Sequence, residues 1–384
     1  MRIGLVHNYY RSEIPSGENL TVDQIALILN SLGHTVSIYS ETSDKYKKNL
    51  RIQALRMFRL LFGLKKKNFK KWIEEQDSIQ IHNYFPLIGR AELKALSRSG
   101  LPIVRVIHNY RKTCLIGNHF RNNEICKKCN QSKFRSGILK RCYQRSFWKS
   151  LLVSKMTREV NNFENTGVIK FIAISEHVKK YLLEIGVDSE KISLIPNGIK
   201  HLKRINGDAN QVLFLSRLEP EKGVKLVIKT WLKFKELPKL NIIGTGSLND
   251  YVIESIATLK NVEFHGLLNA SDIDLVAAKC RTFLAPVSWE EPFGRTLVEA
   301  LSRGQAVVAT KMGIAPFIIQ EGINGFFCDA SVKSLESAIV RSQDLDLLSQ
   351  VSISTGIWSR NFSIEVISQI WKNFYDDMGN FYVN

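Results

Sequence analysis

Pro286-Val287-Ser288-Trp289-Glu290-Glu291-Pro292-Phe293-Gly294-Arg295-Thr296-Leu297-Val298-Glu299-Ala300-Leu301-Ser302-Arg303-Gly304 is the stretch from which the fold of this 384-residue chain is read. The apolar run Thr282 to Ala285 just before it has the composition of a buried strand. Pro292 suits the first turn of a helix and Gly304 suits its end, so the stretch reads as strand, loop and helix. A helix N-terminus carries free N–H groups and about half a positive charge, so the backbone at Phe293 and Gly294 is expected to face an anion or a sugar oxygen. Glu291 lies in the loop before the helix, and Glu299 comes about two turns along it. One carboxylate can then reach the near end of a ligand while the other reaches further. Two surface acids on an amphipathic helix is the plainer account of the same pair.

The same alternation continues on either side. Gln211 to Leu215 reads as a strand that leads into Ser216-Arg217-Leu218-Glu219-Pro220-Glu221-Lys222-Gly223 and then a helix to about Glu236. Arg217 and Lys222, two cations in a loop between a strand end and a helix, have the makings of a diphosphate clamp, or of a surface charge cluster. Leu240 to Ile243 runs into Gly244-Thr245-Gly246, and Val262 to Phe264 into His265-Gly266. Beyond the central stretch come a strand at Ala306 to Ala309, a loop with Gly313, a short helix near Phe317, a turn at Gly322 to Phe326 and a last amphipathic helix from Phe362 to Tyr375.

The first half repeats the pattern: a strand at Ile3 to Val6, a loop from His7 to Gly17, a helix from about Asn19 to Leu32 ending at Gly33, and a strand at Thr35 to Tyr39. Further strands, Ser78 to His82 and Ile103 to His108, each end in His-Asn-Tyr. Ligands of open α/β sheets gather at the carboxyl ends of strands, which makes His82 and His108 candidates for chemistry as well as for buried structural roles. Val168 to Ile174, a helix to Gly186 and Ile192 to Ile195 lead to Pro196-Asn197-Gly198, a turn signal at which the two domains are expected to divide.

Lys and Arg number 54 against 36 Asp and Glu, a net charge of +18. The excess lies in one half: residues 1-200 carry 35 cations against 16 acids, residues 201-384 carry 19 against 20. An anionic partner follows, whether acidic phospholipid, a phosphate-bearing substrate or nucleic acid. Residues 45-71 hold eleven Lys or Arg and no acid, interleaved with large apolar residues, a pattern of basic amphipathic helices suited to an anionic membrane surface or packed on their own domain. Cys114, Cys126, Cys129 and Cys142 contain one Cys-Lys-Lys-Cys core. They read as a structural zinc site, as free or redox-sensitive thiols, or as unrelated buried cysteines. No run of 18 apolar residues occurs, and the early first strand leaves no room for an export leader, so neither a membrane span nor export is expected.

Glu291, seven intervening residues and Glu299, with Pro-Phe-Gly after the first and Ala300 after the second, resemble the E-x7-E signature of family 4 retaining glycosyltransferases of the GT-B fold, of the bacterial cell-surface polysaccharide type. The loop at Arg217 to Gly223 and the Pro-Asn-Gly turn are similar to elements of the same family. The resemblance implies two Rossmann-like α/β domains facing across a cleft: residues 1-197, with the basic segment 45-71 and a Cys-bearing insertion 110-150, would bind the acceptor. Residues 198-361 would bind a nucleotide sugar, and helix 362-384 would pack back on the first domain. It also implies that Glu291 contacts the transferred sugar, that Glu299 holds the ribose, and that His108 lies beside the donor sugar. Arg217 and Lys222 would clamp the diphosphate, the loops at Gly244, Gly246 and Gly266 would line the base pocket, and Gly17 stands where the family usually has paired glycines. A metal-independent reaction at the inner face of the cell membrane on a lipid-linked or glycan acceptor, in polysaccharide, lipopolysaccharide or O-antigen type synthesis, is the resulting expectation. No catalytic cofactor and no nucleic-acid partner are expected. Other GT-B enzymes, such as phosphorylases and sugar epimerases, and a basic nucleic-acid-binding protein are the rival readings.

Overall fold

The protein was analysed as a computed structural model that describes residues 1–10, 16–42, 68–85, 89–130, 133–200, 202, 204–205, 208–344 and 361–383. Most of the basic stretch expected at 45-71 lies outside the described residues. The chain divides into two compact units. Met1–His119, Cys126–Pro196 and Ser368–Asn384 form the first, and Phe120–Ile125 with Asn197–Ile367 form the second.

In chain order the first part contains β1 (Arg2–Tyr9), α1 (Gly17–Ser31), β2 (Thr35–Thr42), α2 (Phe69–Glu74), β3 (Ser78–Ile81), α3 (Arg90–Ser97) and β4 (Ile103–Ile107). A small hairpin, β5 (Phe120–Arg121) and β6 (Glu124–Ile125), which belongs to the second unit, is followed by α4 (Arg135–Leu139), α5 (Phe147–Gly167), β7 (Lys170–Ala173), α6 (Glu176–Glu184) and β8 (Ile192–Leu194). The sheet is parallel, in the order β2-β1-β3-β4-β7-β8. Ile3, Leu5, Val6, Ile79, Val104 and Val106 are buried in its strands, beside the buried polar residues Ser78, Gln80 and Arg105. Serine hydroxyls start three of the helices: Ser16, Ser146 and Ser175 accept from the amides of Asn19, Lys149 and Val178.

The second part contains β9 (Gln211–Leu215), α7 (Val224–Lys233), β10 (Leu240–Ile243), α8 (Asn249–Ile256), β11 (Val262–Gly266), α9 (Ala270–Ala277) and β12 (Cys280–Ala285). Then follow α10 (Arg295–Arg303), β13 (Ala306–Thr310), α11 (Ala315–Ile318), β14 (Gly325–Cys328), α12 (Val332–Ser342) and α13 (Ile364–Val383), which from Ser368 on belongs to the first unit. Its parallel sheet runs β11-β10-β9-β12-β13-β14. Phe214, Val227, Trp231, Ile242, Leu335 and Ile339 fill the core on one side of that sheet.

These orders place two sites. In the second unit the strand order reverses between β9 and β12, and in the first between β1 and β3; crevices for ligands open at such points, outside the carboxyl ends of the strands.

Candidate active site

At the second unit's reversal point three loops are locked together. Gly223, at φ +83°, ends the loop after β9, and a Cβ there would lie 2.0 Å from the Pro286 carbonyl oxygen, so only glycine lets this loop meet the stretch after β12. The Ser288 amide donates to the Glu221 carbonyl at 2.9 Å, closing the same junction. From the other side, a Cβ on Gly313 would lie 2.3 Å from the Glu291 nitrogen, and the Ile314 amide donates to the Glu291 carbonyl at 3.0 Å. Glu291 is therefore fixed by its backbone rather than left on a free loop.

That junction brings Lys222 onto Glu291: the ammonium donates to the carboxylate and lies 4.7 Å above the Trp289 ring. Both side chains are largely shielded, at 12% and 21% exposure, where a charge interacts more strongly than in open water. Ser216, Lys222, Glu291, Gly294, Thr296 and Met312 line one cavity. Arg217 stands further out, 43% exposed and 3.9 Å from Glu221. Glu299, one residue past the first turn of α10, accepts from Arg295 Nε at 3.0 Å.

The helix itself starts later than expected. Gly294 is its N-cap, at φ +63° in the left-handed region, and Arg295 is the first helical residue, so Pro292 lies in the loop and not in the first turn. The amides of Leu297 and Val298 already bond back to the Gly294 carbonyl, and the Phe293 ring is buried, 5.9 Å from that of Phe362. The end at Gly304 is as expected: its amide and that of Gln305 return to Leu301 and Ala300.

Gly244, Gly246 and Gly266 lie side by side in the neighbouring loops. The Gly244 amide donates to the Gly266 carbonyl at 2.8 Å, and the Leu218 amide to the Thr245 carbonyl at 3.0 Å, which ties them to the loop bearing Arg217.

The expectation of metal independence rests partly on the absence of an Asp-x-Asp motif, but that spacing does occur, at Asp272 and Asp274 on α9. Asn269 donates to the first carboxylate at 2.7 Å and Arg303 to the second at 2.6 Å.

In the first unit, His7, His82 and His108 stand at the carboxyl ends of β1, β3 and β4. His82 and His108 are stacked with ring centroids 5.2 Å apart, and His7 meets His82 edge-on at 6.3 Å. His7 continues a pattern that sequence reasoning had noticed only twice, since His7-Asn8-Tyr9 repeats the His-Asn-Tyr of the other two strands. Asn19, on α1, accepts from the Tyr10 amide at 3.2 Å and bonds His7 Nε2 at 3.1 Å. Gly17 is the first residue of that helix and its carbonyl accepts from Thr21, so it serves the helix start.

A hydrogen-bond chain sets the protonation of the pair. The Tyr375 hydroxyl accepts from Gln80 Nε2 at 2.8 Å. Gln80 Oε1 must then accept, which puts the proton of His82 on Nε2, at 2.8 Å. Burial, with the neighbouring His108 charge, holds the His82 pKa well below its ordinary range, so His82 is neutral and its Nδ1 is an acceptor. His108 Nε2–H is left as the donor at 2.9 Å, and its Nδ1 as a bare acceptor. Burial also lowers the His108 pKa, to about 4. Gln80 and Tyr375, 295 positions apart, carry no signal that sequence reading could have used.

Beneath the pair is a buried ion triad. Glu164 on α5 accepts from Arg105 Nε at 2.6 Å and from Lys112 Nζ at 2.5 Å. The Arg105 guanidinium also donates to the carbonyls of Ile81, His82 and Val106, the ends of the strands that carry the two histidines. Burial alone would push the Glu164 carboxyl up, but Lys112 and Arg105 together hold it below the usual carboxylate range.

Cys114, Cys126, Cys129 and Cys142 are half-buried free thiols. Burial raises the Cys129 pKa, offset by a hydrogen bond from the Gly137 amide, and the other three thiols act on it weakly. Among the described residues, however, no group of three or more His, Cys, Asp or Glu side chains is arranged to hold a metal ion, so the geometry does not fit the zinc site that the spacing suggested.

Comparison with known proteins identifies the family and the fold. A model described as Glycosyltransferase Family 4 matches residues 15–201, and one described as Glycosyl transferases group 1 matches residues 199–343. The phosphatidyl-myo-inositol mannosyltransferase of Mycobacterium tuberculosis is 24% identical over 88% of this chain and 85% of its own. The alpha-monoglucosyldiacylglycerol synthase of Acholeplasma laidlawii is 22% identical over 98% and 97%. Among solved structures, HepE of Anabaena in complex with UDP superposes with a TM-score of 0.66 at 19% identity, covering 98% of this chain and all of that one. The chain belongs to the family 4 glycosyltransferases and has the GT-B fold.

Proposed function

We propose that the protein moves a sugar, with retention of anomeric configuration, from a nucleoside-diphosphate sugar to a hydroxyl of a lipid-linked glycan or glycolipid. The observation that carries this reading is the Lys222–Glu291 contact at the carboxyl ends of β9 and β12, under the N-terminus of α10. A leaving diphosphate needs cations, a developing positive charge on the sugar ring needs an oriented acid, and the junction supplies one of each in a shielded place. Lys222 and Arg217 neutralise the diphosphate, with the positive end of the α10 dipole assisting. Glu291 accepts from the hydroxyls of the transferred sugar, and Glu299 from those of the ribose. The bond from the anomeric carbon to the diphosphate oxygen breaks as the acceptor oxygen bonds from the same face, and the acceptor's proton passes to the departing phosphate. His108, neutral and with Nδ1 bare, accepts a hydrogen bond from a sugar hydroxyl.

The acceptor class is proposed from two relatives whose names describe lipid substrates, phosphatidyl-myo-inositol and a diacylglycerol glycoside. The excess of cations in residues 1-200 supports work at the inner face of the cell membrane in polysaccharide or O-antigen type synthesis. Among the described residues no helix is long and apolar enough to cross a membrane. A metal-independent reaction is part of the proposal, whereas a structural zinc on the four cysteines rests on their spacing alone. Thermal unfolding with a panel of nucleoside diphosphates tests the reading: a ligand at a hundred times its Kd adds about 2.7 kcal/mol of stability. At least one diphosphate should do so in the native chain and none in Lys222→Ala; no stabilisation by any of them would refute it.

A further inference from the structure

The turn between α4 and α5 carries an exposed apolar cluster that the fold does not use. Leu139 and Trp148 are each 73% exposed, and Phe147 and Leu151 beside them are 37% exposed. Phe147 and Trp148 are in edge-to-face contact at 5.4 Å, so they present one aromatic block at the first turn of α5. The turn is fixed by its own bonds: the Cys142 amide donates to the Gly137 carbonyl, the Ser146 amide to the Tyr143 carbonyl, and the Tyr143 amide to Ser150 Oγ. Such side chains lose apolar burial by standing in water, and a projecting aromatic pair with an exposed leucine one turn further along the same helix is a patch of the kind that marks an interaction surface.

Charge identifies the occupant. From Ile125 to Arg158 the chain has ten Lys or Arg and no Asp or Glu. Among the described residues Lys133, Arg135, Lys140, Arg141, Arg145 and Lys155 have no ion-pair partner, and all six are exposed. Tryptophan and leucine ringed by unpaired cations match the two layers of an anionic bilayer, with apolar groups at the acyl boundary and cations among phosphates. Nucleic acid would match the cations but not Leu139 and Leu151, and a second copy of this basic face would repel the first.

We infer that the α4–α5 turn, with Leu139, Phe147, Trp148 and Leu151 as the inserting groups, docks the first unit on an anionic lipid surface. The inference deepens the proposed function, since it rests on a membrane-borne acceptor, and it names the surface that reaches the membrane.

Flotation of the full chain with vesicles of phosphatidylglycerol and phosphatidylcholine, against phosphatidylcholine alone, tests it with neither donor nor acceptor present. Failure to float therefore counts against this surface, while failure to transfer sugar counts against the catalytic reading. The native chain should float with the anionic vesicles and be released by salt. Leu139→Ser with Trp148→Ser should bind at least about tenfold more weakly, and Arg141→Glu with Arg145→Glu should lose roughly fivefold or more per cation removed. Trp148→Phe should retain binding, and Leu275→Ser, at an exposed leucine of α9, should change nothing. Unchanged flotation of the Leu139 and Trp148 double variant overturns the inference. So does a chain that ignores vesicles and instead binds single-stranded DNA, or one that self-associates through this face.

Discussion

Replacing Glu164 by Gln removes the one acid between Arg105 and Lys112 while keeping its shape. Glu164, Arg105 and Lys112 are only 1%, 6% and 3% exposed, so the two cations left behind cannot recruit water. Breaking a buried pair in this way costs about 3–5 kcal/mol. In a unit of this size each kcal/mol shifts the midpoint by about 2–4 °C, so unfolding of the first unit should fall by roughly 10–15 °C. Arg105 also holds the carbonyls of Ile81, His82 and Val106, so sugar transfer should fall with stability, below the unfolding temperature as well. Nucleoside-diphosphate affinity should stay, since its proposed contacts are all in the second unit. Circular dichroism melts, with transfer and nucleotide titrations at 20 °C below the variant's midpoint, are the assay. Replacing Arg105, Lys112 and Glu164 together by Met, Met and Leu should recover part of the stability but not the activity. A midpoint shift of less than about 3 °C in Glu164→Gln would show that the triad is not electrostatically closed and would refute the reasoning.

In the second unit, Lys222→Ala should lower kcat/KM by about a hundredfold or more, and Arg217→Ala by a comparable factor, as expected for loss of a charge-stabilising group; near-normal turnover with both replaced rules out the clamp. Glu299→Gln should weaken binding of the free nucleoside diphosphate, whereas Glu291→Gln should leave it nearly unchanged and impair transfer; equal effects in calorimetric titrations would mean that the two roles are misassigned. The histidine pair makes stability depend on pH. Burial lowers the His108 pKa to about 4, against about 6.5 in the unfolded chain, so its contribution is fully present above pH 6.5 and is lost as pH falls toward 4. Its size is on the order of 3 kcal/mol at most, and His108→Gln should flatten urea-unfolding stability across that window; an unchanged slope there would mean that the imidazole is not buried neutral.

Much of the architecture was readable because parallel strands buried on both faces are largely apolar. Val307 and Val308 in β13 and Ile242 and Ile243 in β10 show this. The loops of the candidate site were readable too, since turns need particular residues. Where reading failed, a local rule lost to a tertiary one. Pro292 is a good first-turn residue, but Gly294 at φ +63° stops the helix from reaching it. β1 runs on to Tyr9, past its last apolar residue, because Asn8 and Tyr9 still pair with Glu41 and Thr42 of β2. That extension carries His7 to the histidine pair. The four cysteines have a legible spacing, but their placement depends on the turns of the insertion, and the described geometry gathers them without forming a metal-holding set. Tyr375 reaches Gln80 across almost the whole sequence, and contacts of that kind leave no periodic trace.

The most direct test of the account is a transfer assay with purified chain, a panel of radiolabelled nucleoside-diphosphate sugars and a lipid extract as acceptor. One donor should yield label in the organic phase together with an equal amount of free nucleoside diphosphate, and Lys222→Ala and Glu291→Gln should abolish both. No diphosphate release from any donor, or sugar release that depends on added inorganic phosphate instead, would contradict it.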